Sequence, residues 1–165
     1  MKQTPIVSLM RKYRGRGAVL DSNLLLLLVV GTYNAERIGT FKRTEKYIQN
    51  DFKLLETLRK QLDRWVTTPN IITEVDNLSR QTDGREYSKI SSAFNTVMSK
   101  FVEHYYSSHE AVANPLHARL GVTDCITLAL ASERRLIVTD DFPLAGRLEK
   151  MGCDVININN IRQFS

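Results

Sequence analysis

Cysteine is scarce in this sequence. Only Cys125 and Cys153 occur among its 165 residues. They stand far apart, in no spacing that binds a metal or forms a redox pair, and read as two small core residues of a reduced, cytoplasmic protein. Long apolar runs are missing as well: the longest, Leu24 to Val30, falls far short of the roughly 20 residues that span a bilayer. No membrane helix and no membrane partner are therefore expected. The basic amino terminus continues into Gly15, Arg16, Gly17 and a strand-like run ending at Asp21, which lacks the apolar stretch of a signal peptide. No repeat, low-complexity tract or linker rich in proline, glycine or serine divides the chain, so one domain over 1–165 is expected, within the roughly 100 to 200 residues usual for a domain. His104, His109 and His117 stand at no metal-ligand spacing. Gly15 and Gly17 follow no strand and precede no helix, which argues against a glycine-rich nucleotide loop.

What is present is the balance of an ordinary globular protein, 42% hydrophobic and 25% charged. Lysine and arginine number 23 against 18 acids, a net charge of +5, and the summed field of such a chain favours a polyanionic partner. Part of the excess lies in a basic arm over 1–16, where Arg11, Lys12, Arg14 and Arg16 surround Tyr13. These are candidate phosphate contacts with one stacking ring, although a solvated tail accounts for the same residues.

Along the chain, strand signals alternate with helix signals. Gly17 to Leu20 reads as a short buried strand ending at Asp21, after which Asp21, Ser22 and Asn23 are capping residues for a largely buried helix over Leu24 to Val30. Tyr47, Ile48, Phe52, Leu55, Leu58 and Leu62 predict a long amphipathic helix. Trp65 to Thr68 reads as a strand, and Pro69 suits the first position of a helix carrying Ile71, Ile72, Glu74, Val75 and Leu78. Asp83-Gly84 marks a turn, and Ile90, Phe94, Val97, Met98, Phe101 and Tyr105 trace a further helix that loosens near Asn114 and Pro115. Thr123 is the expected cap of a helix through Ile126 and Leu130. Arg135 to Thr139 reads as a buried strand, a short helix through Leu144, Leu148 and Met151 stops at Gly152, and Asp154 to Ile158 is a last strand. This pattern predicts an α/β three-layer sandwich with a mainly parallel sheet of four or five strands.

In such sheets, sites form outside the carboxyl ends of the strands. Asp21 and the Asp140-Asp141 pair each follow a predicted strand directly, Glu74 lies early in the helix after the second strand, and Asp124 begins the helix that leads into the next. Each has a structural reading of its own: Asp21 as a helix cap, Asp124 as a partner of the helix dipole, Glu74 as a solvated residue, Asp141 as a turn former. Gathered at one rim, however, carboxylates repel one another and raise each other's pKa unless a cation intervenes. Mg²⁺ or Mn²⁺ meets that need with oxygen ligands, and suits hydrolysis at phosphorus.

Val19-Leu-Asp-Ser-Asn23, Pro69 to Glu74, Gly121-Val-Thr-Asp124 with its apolar, alanine-containing helix, and Leu136-Ile-Val-Thr-Asp-Asp141 resemble, in order, the four motifs of the PIN-domain nucleases. The resemblance covers about Val19 to Ile158. It implies that Asp21, Glu74, Asp124 and Asp141 are catalytic metal ligands and that Asn23 and Thr139 support them. Asp140 remains an alternative fourth ligand, and one or two ions remain open. By the same likeness the expected activity is metal-dependent cleavage of single-stranded RNA, with a toxin role, an antitoxin partner and a homodimer implied by similarity alone. The stretches flanking Glu74 are longer than in compact toxins of this family, a departure from the family's spacing. Two other readings are a PIN-like scaffold that binds RNA or a partner without cutting, and a receiver- or phosphatase-like domain phosphorylated on an aspartate. Against the phosphatase pattern, Asn23 stands where a second aspartate is wanted.

Overall fold

The computed structural model describes residues 5–162. Five strands form one sheet: β1 (Ala18–Leu20), β2 (Trp65–Thr67), β3 (Val102–Glu103), β4 (Leu136–Thr139) and β5 (Val155–Asn157), in the order β3-β2-β1-β4-β5. Every pairing is parallel, with Val19 opposite Val66 on one side and Ile137 on the other. The expected α/β architecture holds, at five strands. Parallel strands covered on both faces are apolar throughout, and β1 and β4 are buried along their whole length.

The chain leaves β1 toward β2 and β3, then returns past them to β4 and β5. Right-handed crossovers in opposite directions place their helices on opposite faces. One layer holds α2 (Ser22–Tyr33), α3 (Gln49–Gln61), α4 (Pro69–Ser79) and α5 (Gly84–Met98), and the other α6 (Ser108–Ala113), α7 (His117–Ser132) and α8 (Phe142–Lys150). The helix α2 lies at the centre of the first layer, against α3, α4 and α5. Each residue from Leu24 to Val30 is at most 1% exposed, which is why this helix is apolar on every side rather than striped. At about 1.5 to 3 kcal/mol for each fully buried aliphatic side chain, the run is a principal source of stability. Among the described residues, no helix is long and apolar enough to cross a membrane.

Several expectations need correction. The basic arm is a helix, α1 (Pro5–Tyr13), with Met10 and Tyr13 buried, while residues 1–4 of the expected arm lie outside the described residues. Ile6, Met10 and Tyr13 recur at helical spacing and dock on the core, a stripe that the intervening charges obscured. The third helix starts at Gln49, with Ile48 exposed as its cap residue and Tyr47 buried ahead of it. The next stripe stops being helical at Met98: Phe101 packs on Trp65 with ring centroids 6.2 Å apart, residues 102–103 add the edge strand β3, and Tyr105 projects outward. Two residues at a sheet edge are too few to show period-two alternation. Thr123 does not start its helix; α7 begins at His117 and breaks at Gly121, whose φ of 82° is readily adopted only by glycine. A further short helix, α9 (Ile158–Arg162), follows β5.

Gly31 brings α2 and α3 into close approach, since a β-carbon there would lie 2.3 Å from the Phe52 ring. Gly31→Ala is therefore expected to destabilise the fold by about 1–3 kcal/mol through overpacking, measured by chemical denaturation, with part recovered by adding Phe52→Leu. Unchanged stability in Gly31→Ala would show that the ring does not rest on this backbone.

Candidate active site

The strand order reverses between β1 and β4, and a parallel α/β sheet opens a crevice at the carboxyl end of such a switch point. Asp21 leaves β1 there. As the cap of α2 it accepts the Leu24 N–H on Oδ1 at 2.8 Å, while Oδ2 accepts the Asp140 N–H at 3.1 Å and the Thr139 hydroxyl. Thr139, the last residue of β4, in turn accepts the Asp141 N–H at 2.9 Å. Asp141 caps α8 through Oδ1, 2.8 Å from the Leu144 N–H, and no described residue engages its Oδ2. Cap and candidate ligand are thus one residue at both positions, because a carboxylate offers two oxygens with about four lone-pair sites.

Glu74 reaches the same crevice from α4, and its Oε2 accepts the Ser22 hydroxyl at 2.9 Å. Asp124, in the first turn after the Gly121 break, has no hydrogen-bond or cationic partner among the described residues. Asp21, Asn23, Glu74, Asp124 and Asp141 line a single cavity of about 60 Å³ together with Ser22, Thr123 and Thr127, and no lysine, arginine or histidine lines it. The four principal acids expected from sequence are therefore together, Glu74 included, with Asn23 and Thr139 beside them. Ser22, Thr123 and Thr127 escaped notice as site residues, since hydroxyls near helix starts read simply as caps.

Asp140 is not among the lining residues, and its place as an alternative ligand is corrected. Its Oδ2 accepts the Tyr47 hydroxyl at 2.8 Å and pairs with Lys46 Nζ at 2.5 Å. Its carbonyl accepts from Asn159 Nδ2 at 2.7 Å. Neighbouring residues leaving a strand project to opposite sides, so of this pair only Asp141 lines the cavity. The basic quartet is also elsewhere. The helix α1 precedes β1 and lies at the amino-terminal edge of the sheet, where Lys12 pairs with Asp154 and Arg14 with Asp63, and where Arg16 lies beside Arg64, Arg134 and Arg135.

Burial pushes the Asp21 carboxyl up to about 7, and the charge of Asp140 adds to the rise against the lowering bonds from Thr139, Leu24 and Asp140 N–H. Burial likewise raises Asp124 to about 6, with Asp141 and Glu74 contributing repulsion. Among the described residues, no three acidic, imidazole or thiol groups close around an ion directly. The donors instead ring a space of about 60 Å³, and a water occupies roughly 30 Å³ of liquid. A donor set of oxygens alone would suit a hard cation such as Mg²⁺ or Mn²⁺, which keeps several of its waters, better than a softer metal.

No family model, curated protein or solved structure matches the chain.

Asp21 and Asp124 hold their protons more tightly folded, at about 7 and about 6, than at the ordinary 3.8. The folded state then binds more protons within that window, and the contribution to stability falls as pH rises through it. Metal-free protein should therefore lose melting temperature through these groups from about pH 4 to pH 7, while Mn²⁺ should raise it above that range and do little below it. Asp124→Asn should flatten this slope and stabilise the metal-free fold near pH 8, about 1 kcal/mol corresponding to roughly 2–4 °C at this size. Scanning calorimetry decides it, and a slope unchanged in Asp124→Asn would contradict the electrostatic origin.

Proposed function

We propose that this chain is a divalent-metal-dependent nuclease that hydrolyses phosphodiester bonds in single-stranded RNA. One observation carries the reading: acids separated widely in sequence, Asp21, Glu74, Asp124 and Asp141, line one cavity that contains no cationic side chain. A structural ion-pair network would supply arginine or lysine at that point. Like charges left together in a half-buried site favour a bound cation over any other partner.

The chain's own groups have separable tasks. Asp21 is locked by its bonds to Leu24, Thr139 and Asp140, so its one remaining lone-pair site, on Oδ1, keeps a constant direction. Ser22 orients Glu74 by bonding one oxygen, leaving the other for a ligand. Asp124 and Asp141 Oδ2 are unengaged, and a cation would be drawn to them first. Mg²⁺ or Mn²⁺ held by this set supplies an acidified water and offsets charge on the phosphoryl group. The substrate's phosphate has to enter from the open side of the cavity, drawn in part by the net charge of +5.

The RNA preference, a toxin role with an antitoxin, and a homodimer rest on the PIN-like motifs alone. A phospho-aspartate reading draws less support, because the natural acceptor, Asp21, is 9% exposed and hydrogen-bonded on both oxygens. A scaffold that binds RNA without cutting it is favoured only by the lack of three directly converging ligands among the described residues.

The test is purified protein with labelled single-stranded RNA and DNA, with Mg²⁺, Mn²⁺ or chelator. Cleavage should need the cation, and Asp124→Asn and Asp141→Asn should each lower kcat/KM by about 100-fold or more, the loss of a few kcal/mol of charge stabilisation. Asp140→Asn should retain cleavage, as its carboxylate is engaged by Tyr47 and Lys46. Binding of RNA without cation-dependent cleavage would favour the scaffold instead.

A further inference from the structure

Beside the acidic cavity runs a second depression of about 410 Å³, and the two share Glu74 and Thr123 as a common wall. Its other side chains come from α4 (Pro69, Asn70, Thr73, Asn77, Leu78), from the loop after β3 (Tyr105) and from α6 (Ser108). We infer that this groove receives an unpaired nucleobase of the strand whose phosphate lies at the acidic cavity, with Tyr105 as the stacking platform. The inference rests on the nuclease reading for the identity of the strand, and deepens it by naming what the site reads.

Three features select a base over other occupants. First, Tyr105 is 77% exposed, with its ring given to the groove wall rather than to the core. A large aromatic left open at a groove offers the π-face on which any unpaired base stacks. Second, amides and hydroxyls from Asn70, Thr73, Asn77 and Ser108 share the lining with the apolar Pro69 and Leu78. Asn70 Nδ2 makes one long bond of 3.3 Å to Ser108, and Asn77 has no hydrogen-bond partner among the described residues. Amides offer a donor and an acceptor side by side, the pattern that base edges present. Third, the groove has no lysine or arginine and contains the carboxylate of Glu74. Phosphates and acidic peptides are repelled there, while a neutral base is not, so the backbone is left at the rim facing the neighbouring cavity. Its volume falls within the roughly 300–1,000 Å³ of small-ligand sites. Duplex bases have their edges paired and their faces stacked, which restricts the groove to single strands.

The test separates binding from cleavage. In the Asp124→Asn background with Mg²⁺ present to offset the remaining acids, Tyr105→Trp places an exposed indole in the groove, against the buried Trp65 that is 4% exposed. A short single-stranded oligonucleotide should quench its emission, and a blunt duplex of the same sequence should not. In the same background Tyr105→Ala should weaken single-strand affinity by about 5- to 150-fold, the range of one lost stacking contact, and Tyr105→Phe should restore it. In cleaving protein, Tyr105→Ala should raise KM by that factor with a much smaller fall in kcat. Circular dichroism of each variant confirms that the fold is kept. Cleavage whose KM is unmoved by Tyr105→Ala overturns the groove and leaves the nuclease reading intact. Ring-dependent single-strand binding by a wild type that never cleaves supports the groove and overturns the nuclease reading. Equal quenching by duplex overturns the restriction to an unpaired base.

Discussion

The carboxylate of Asp21 is the constraint on which the rest of the site depends. It is 9% exposed at the point where the two central strands end, and its bonds tie α2 to β1 on one side and to the end of β4 on the other. Burying a charge is unfavourable unless it is hydrogen-bonded and partnered. Here the start of α2 contributes an N–H and a favourable dipole, and Thr139 and Asp140 contribute two further donors. No described cation is bonded to it. Burial raises its pKa despite these bonds, and in the proposed reading a divalent ion would offset the charge. On that reading, stability of the metal-free chain and affinity for a cation would pull in opposite directions, the usual trade-off between stability and activity.

A second arrangement separates two adjacent acids. Asp140 is held away from the cavity by Tyr47 and Lys46, and the Arg162 guanidinium lies 5.3 Å from the Tyr47 ring while bonding Asp51 at 2.6 Å. These contacts join the loop before α3, the end of β4 and α9. The tyrosine hydroxyl is pushed strongly upward by burial and by the charge of Asp140, so it stays a donor at any working pH. With Asp140 occupied in this way, Asp141 alone of the pair faces the cavity, and the charge beside Asp21 is kept at a fixed distance.

Much of the fold was legible from local chemistry. The buried strands at Ala18–Leu20 and Leu136–Thr139 and the cap at Asp21 follow from apolar runs and capping residues within a few positions of one another, whereas Thr68, read as a strand residue, and Asp141, read as a turn former, are helix caps in the structure. The errors share a cause. Ile6, Met10 and Tyr13 form a docking stripe that the interleaved lysine and arginine hid. Tyr105 continues the helical spacing of α5 by coincidence and belongs to a loop. At Val102–Glu103 the strand exists only because β2 offers an unpaired edge, with the Thr67 carbonyl accepting the His104 N–H at 2.8 Å.

The sequence by itself determined the candidates: acids at the ends of strands and starts of helices, on an alternating scaffold. Periodicity and capping are properties of a few consecutive residues, so no distant contact is needed to read them. Only the tertiary structure decided that Glu74 reaches the crevice, that Asp141 lines it while Asp140 is held elsewhere, that the basic helix docks at the opposite edge, and that a polar groove with Tyr105 adjoins the acids. Those outcomes depend on partners such as Ser22 for Glu74 and Tyr47 for Asp140, 52 and 93 residues away in the chain, and packing between distant segments leaves no trace in the local pattern of either.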